Sequence, residues 1–247
     1  MIVGFVGAGS MAAAMARGWV GEVERMLFTD SGSGRAAELA REVGGDAVGS
    51  NAELAEAADA IVLAVKPAKL DDVAEEIGGV AKPVISLLGA TSLARVVAAF
   101  PEADVCRVMP NVAVEVRRGV LCVAGGETAE VRRLLDLLGH VVELPDAQFD
   151  AATAVMGCAP AYLALAVEAL ADAGAEAGLG EDLARELIVE TTAGTAELLR
   201  RRPPSEVRRA VASPGGSTEA GLEALDREGA REAFEEAVRA SLARMQG

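Results

Sequence analysis

Apolar residues in the first 150 positions fall in short runs, separated by stretches where they recur every three or four residues. The runs predict strands at Ile2–Val6, Met26–Thr29, Ala60–Val65, Pro83–Leu88, Val105–Met109, Gly119–Ala124 and Val141–Leu144. The spaced stretches predict helices at Met11–Val20, Arg35–Val43, Lys69–Ile77, Leu93–Phe100 and Ala129–Leu138. Near-continuous apolar strands alternating with helices imply a mostly parallel sheet covered on both faces, with a short antiparallel extension at its far edge. From Asp150 the strand pattern stops. Helices are predicted at Tyr162–Glu176, Asp182–Leu199, Pro204–Val211, Thr218–Asp226 and Arg231–Arg244. The stretch Tyr162–Ala171 is apolar nearly all round, so it is expected to be buried from several sides. In a small helical domain that means packing against a second chain; the alternative is the central helix of a monomeric bundle. No linker intervenes. The change of period near Pro145–Asp150 divides an α/β domain, 1–147, from an all-α domain, 148–247.

Composition narrows the classes. Hydrophobic residues make up 51% and aromatics 3%, so the core is aliphatic. The net charge of −15, with no basic stripe, argues against nucleic acid. No apolar run reads as long enough to span a membrane, and the chain start lacks a basic leader, which predicts a soluble cytoplasmic protein. Cys106, Cys122 and Cys158 are widely spaced and read as buried thiols. A single histidine, His140, at the edge of a strand, leaves no basis for a metal site or a serine-hydrolase triad.

The chemistry sits in four places. Gly7-Ala8-Gly9 follows the first strand, and Ser10-Met11-Ala12 opens a helix. Gly7 permits the turn, Gly9 lets a pyrophosphate approach, and the free N–H groups of the helix start favour its charge; this is a Rossmann-type dinucleotide turn, or else a plain glycine turn. Asp30 ends the second strand where an acid reads an adenosine ribose, which favours NAD, but Ser31, Ser33 and Arg35 offer donors for a 2′-phosphate. These two signals conflict. Lys66-Pro67 and Met109-Pro110-Asn111 end later strands, where open α/β sheets bind ligands. Lys66 reads as a partner for cofactor phosphate or ribose, or as a surface lysine; Asn111 as a donor to a nicotinamide carboxamide, or as a turn builder. In the helical half, Ser213-Pro214-Gly215-Gly216-Ser217-Thr218 places glycines and hydroxyls before a helix. It reads equally as an anion pocket for a carboxylate or as a capped loop.

Together these residues resemble the pyrroline-5-carboxylate reductase family over nearly the whole chain. Phe5-Val6-Gly7-Ala8-Gly9-Ser10-Met11-Ala12 is similar to the family's cofactor turn, Asn51 to its ribose-contacting asparagine, and Val65-Lys66-Pro67 and Met109-Pro110-Asn111 to segments around the nicotinamide. Gly157-Cys158-Ala159-Pro160-Ala161-Tyr162 resembles Gly-Ser-Gly-Pro-Ala-Tyr, and Ser213–Thr218 resembles the signature Ser-Pro-Gly-Gly-Thr-Thr. The resemblance implies hydride transfer from NADPH, or NADH, to the C=N carbon of 1-pyrroline-5-carboxylate, giving L-proline. It implies that Thr218 touches the ring nitrogen, that Ser213 and the amides of Gly215, Gly216 and Ser217 hold the carboxylate, and that the chain forms a homodimer, often built into a decamer as a pentamer of dimers. The chain departs from the pattern at Val112-Ala113, Met156, Cys158, Ala159 and Ala212, mostly by losing hydroxyls. Two alternatives follow: a related reductase of another cyclic or open-chain imine, and a non-catalytic dinucleotide sensor.

Overall fold

The computed structural model describes residues 1–246. It divides into two compact units, Met1–Cys158 and Ala159–Arg244.

The first unit alternates strands and helices in the order β1 (Ile2–Val6), α1 (Ser10–Gly18), β2 (Arg25–Thr29), α2 (Arg35–Val43), β3 (Asp46–Ala47), α3 (Asn51–Ala57), β4 (Ala60–Leu63), α4 (Leu70–Ile77), β5 (Val84–Ser86), α5 (Leu93–Ala99), β6 (Val105–Pro110), β7 (Gly119–Gly125), α6 (Ala129–Asp136), β8 (Gly139–Glu143) and α7 (Phe149–Ala152). One eight-stranded sheet has the order β3-β2-β1-β4-β5-β6-β7-β8. All pairs are parallel except β6 with β7, the expected antiparallel step near the far edge. Each strand feeds both faces, as period-2 geometry requires. Val3 and Phe5 of β1 and Phe28 of β2 join Ala12 and Met15 of α1 and Trp19, its C-cap, on one side; Val6, Leu27, Ile61 and Leu63 join Leu54, Leu70 and Val96 on the other. The few aromatics concentrate there: Phe5 stacks on Phe28 with centroids 5.1 Å apart, and the Trp19 indole N–H donates to the Leu134 carbonyl at 2.8 Å.

Two elements between Val43 and Ala60 escape the hydrophobic pattern. β3 is two exposed residues long and pairs with β2 through its backbone and through an ion pair in which Arg25 Nε donates to the Asp46 carboxylate at 2.7 Å. α3 is short and half polar, yet it carries a readable start signal. Ser50 Oγ accepts the Glu53 N–H at 3.1 Å, and the Glu53 carboxylate accepts the N–H of Gly49, just before the N-cap, at 2.9 Å, a variant of the capping box. Two predicted strands are shorter than their apolar runs: β4 stops at Leu63 and β5 spans Val84–Ser86. The surplus residues enter the loops beyond the sheet. His140 lies exposed in edge strand β8. Cys106 and Cys122 are buried, and burial pushes the Cys106 thiol up to about 12; Cys158 is only half-buried, contrary to expectation, because it ends a π-helical turn at Thr153–Gly157.

The second unit holds α8 (Ala159–Gly174), α9 (Glu181–Leu199), α10 (Pro204–Val211), α11 (Ser217–Arg227) and α12 (Ala230–Gln246). Tyr162 of α8 shares a hydrogen bond of 2.5 Å with Ser241 of α12. Ala184 is its one buried hydrophobic residue among the described residues. One expectation needs correcting. The helical run Asp146–Leu179 has a window of mean hydropathy 1.7 and is long and apolar enough to cross a membrane by length and composition. Its π-helical turns at Thr153–Gly157 and Ala175–Leu179 join segments that read as separate in sequence.

Candidate active site

In the first unit the chain order reverses between β1 and β4, and at this switch point α/β sheets open a ligand crevice beyond the strand carboxyl ends. Gly7, Ala8 and Gly9 leave β1 there. Gly7 has φ +100°, and a Cβ on it would come within 2.6 Å of the Ala64 carbonyl oxygen, so the turn demands glycine. A Cβ on Gly9 would meet nothing closer than that oxygen at 4.0 Å, leaving open space above the backbone. Gly9 is the N-cap of α1 and brings no side chain to the amides of its first turn, which includes Ser10 and Met11. Open space over unpartnered amides at a helix start fits the pyrophosphate of a dinucleotide.

Val65, Lys66 and Pro67 leave β4 beside this turn. Val65 is half-buried, Lys66 is exposed, and Pro67 begins a 3-10 turn. Asn51 starts α3. Its Oδ1 accepts from the Thr29 hydroxyl at 2.6 Å and its Nδ2 donates to the Glu76 carboxylate, so the amide is fixed in orientation with one N–H left over. Asp30, Ser31 and Arg35 leave β2. Asp30 spends its carboxylate on its own loop, and the Ala36 N–H, with those of Gly32 and Ser33, holds it below the usual carboxylate range. Asn111 follows β6 and is buried. Its Nδ2 donates to the Met156 carbonyl and its Oδ1 accepts from the Val120 N–H, each at 3.2 Å, so it builds the turn and keeps one N–H for a ligand.

The Ser213–Thr218 loop belongs to the helical unit. Ser213, Ser217 and Thr218 are exposed. Two of its amides have partners in this chain: the Gly215 N–H donates to the Glu219 carboxylate at 2.7 Å and the Gly216 N–H to the Ser213 carbonyl at 2.9 Å. The amides of Ser217 and Thr218 open α11, whose N-cap Gly216 supplies no side-chain acceptor. The loop already holds one carboxylate, that of Glu219, a residue the sequence reading passed over although its place in the first turn of α11 marks an N-terminal acid.

Residues 146–247 match the family model for pyrroline-5-carboxylate reductase dimerisation, and residues 2–89 match that for coenzyme F420-dependent NADP oxidoreductase. The pyrroline-5-carboxylate reductase of Synechocystis sp. is 40% identical over 206 residues, 79% of this chain and 77% of the relative. The chain belongs to the pyrroline-5-carboxylate reductase family. The family member from Pseudomonas aeruginosa is 33% identical over 97% of this chain and 93% of its own length. The crystal structure of Plasmodium falciparum pyrroline carboxylate reductase with NADP bound aligns with a TM-score of 0.87 at 26% identity, covering 99% of this chain and 97% of that one.

Proposed function

We infer that this chain is a pyrroline-5-carboxylate reductase, an NADPH-preferring oxidoreductase that also accepts NADH and reduces the C=N bond of 1-pyrroline-5-carboxylate to L-proline. The observation that carries the reading is the pairing of two features in one chain of this family: a glycine turn with open helix-start amides, and a hydroxyl–glycine loop that already grips a carboxylate.

Residues 1–147 act as the dinucleotide-binding domain and 148–247 as the dimerisation and substrate-binding domain. Gly7–Met11 hold the pyrophosphate, Asn51 the adenosine ribose, and Ser31 and Arg35 the 2′-phosphate. Val65, Lys66, Pro67 and Asn111 line the nicotinamide end. When bound, the cofactor supplies a hydride to the imine carbon, and the ring nitrogen takes its proton from water. No histidine or carboxylate is needed at the nitrogen, and the protein's work is to hold the reactants together. Ser213 and the amides of Gly215, Gly216 and Ser217 bind the substrate carboxylate, with the Gly215 N–H passing from Glu219 to substrate. Thr218 Oγ meets the ring nitrogen.

The functional form is a homodimer, with a pentamer of dimers as the larger assembly, in the cytoplasm. The exposed leucines of α8 support the dimer over a lipid partner: Leu163, Leu165 and Leu170 lie in the segment matched by the dimerisation model. The test is NADPH oxidation followed by absorbance, with five- and six-membered cyclic imine carboxylates as substrates. The five-membered ring is expected to turn over faster. A preference for another imine would assign a different substrate, and binding of NADPH without any turnover would make the chain a sensor.

A further inference from the structure

The loop after β2 carries contradictory sequence signals, an acid that favours NAD and donors that favour NADPH. The geometry of Asp30 resolves them. An acid that reads the adenosine ribose presents free carboxylate oxygens to the two ribose hydroxyls. Asp30 instead turns both oxygens toward its own loop, with Oδ1 filled by two amides and Oδ2 engaged by a third. Its Oδ1 accepts the N–H groups of Gly32 at 2.6 Å and Ser33 at 2.9 Å, and its Oδ2 accepts the Ala36 N–H at 2.7 Å. Gly32 and Gly34 adopt φ +89° and +81°, which lets the chain curl around the carboxylate so that these amides converge on it. The charge is thereby compensated by three donors and by the start of α2. Ser31 and Arg35 stay on the exposed rim of the same curl. The ribose retains another partner in Asn51, whose amide Thr29 and Glu76 fix from the neighbouring elements.

We propose that Asp30 is a positioning residue for NADPH selectivity: it organises the Ser31–Arg35 curl that receives the 2′-phosphate and does not itself read the ribose. The inference rests on the cofactor assignment made above and adds a sign to it. Removing an acid that reads ribose shifts preference toward NADPH. Removing an acid that organises the phosphate loop shifts preference toward NADH.

Titration calorimetry of intact wild type and Asp30→Ala with 2′,5′-ADP and with 5′-AMP separates the two without any imine present. Loss of the loop's order is expected to weaken 2′,5′-ADP about tenfold, the effect of one strong interaction, and 5′-AMP much less. The ratio of kcat/KM for NADPH to that for NADH is expected to fall in parallel. Arg35→Ala is expected to cost less in the Asp30→Ala background than in wild type, because both act through one loop. If Asp30→Ala does not fold, Asp30→Asn, which keeps one acceptor oxygen, is expected to give the same signs at smaller size. A rise in the NADPH:NADH ratio, or equal weakening of both nucleotides, would overturn the positioning role while leaving the cofactor assignment standing. Failure of the wild type to bind either nucleotide would overturn the cofactor assignment and this inference with it.

Discussion

The two units are made of similar residues and are stabilised differently. In the first, Val3, Phe5, Phe28, Ile61, Leu63 and Ile85 are fully buried by elements of the same chain. In the second, Leu163, Leu165 and Leu170 of α8 are 59%, 65% and 58% exposed, and Ala184 is the only buried hydrophobic residue described. Covering a leucine side chain contributes about 1.5–3 kcal/mol. A helical unit of this size that leaves its leucines in water lacks the burial needed to offset the entropy of ordering its helices. The lesson is that the sheet unit is completed by its own sequence, whereas the helical unit leaves an apolar face uncovered, the face that the proposed homodimer would bury. On the proposed function, cofactor binding belongs to the self-sufficient half, and turnover is expected to depend on the half that needs assembly.

The comparison is broken most severely at Leu165. Leu165→Glu would place a charge in the proposed dimer face, at a cost of several kcal/mol if unpaired. It is expected to dissociate or unfold the protein and abolish turnover, as read by light scattering and by the NADPH assay. Thr218→Ala leaves the loop amides in place. Loss of one transition-state hydrogen bond of about 1–3 kcal/mol lowers kcat by roughly five- to 150-fold, with cofactor KM unchanged. An unchanged kcat/KM for the imine would reduce Thr218 to a helix-start residue. Glu219→Gln withdraws the anion that holds the Gly215 N–H. The imine KM is expected to fall by about two- to fivefold, the scale of one neutral hydrogen bond; an unchanged KM would mean that substrate does not use that amide.

The smallest effect concerns the first unit and pH. The carboxyl of Asp30 is held below its ordinary range chiefly by the Ala36 N–H. A lowered native pKa contributes stability that is present above the unfolded value of about 4 and is lost as pH falls through the native value. The melting-temperature gap between wild type and Asp30→Asn is expected to hold from neutral pH to about pH 4 and to close below it. A gap that persists in stronger acid would show that ionisation of Asp30 contributes nothing.

Much of the first unit was legible because buried parallel strands write themselves as continuous apolar runs, as Ile2–Val6 and Val105–Pro110 do. α3 lay outside that signal, since only Leu54 and Ala55 of it are buried, and its trace in the sequence was the Ser50–Glu53 capping pair. The Rossmann turn was legible from Gly7, where the backbone leaves no room for a side chain, and from Gly9, whose missing side chain leaves open space over the helix start. The turn-building role of Asn111 was one of its two readings in sequence, but the uses of Asp30 and Glu219 were not legible, since residue type does not reveal which donors the chain turns toward a side chain. Asp30 stood where ribose acids stand, but Gly32 and Gly34 bent the following amides back onto it. In the helical unit, the all-round apolar stretch of α8 was plain in sequence and was read as packing against a second chain or as the centre of a monomeric bundle; its leucines stay exposed in the single chain, which weighs against the bundle.

The dependence of turnover on assembly is tested most directly by measuring molar mass by light scattering on the same sample whose NADPH-dependent reduction of 1-pyrroline-5-carboxylate is assayed. A dimer or larger oligomer that produces proline, with activity falling as dilution dissociates it, is the expected result. A stable monomer with full activity would contradict it.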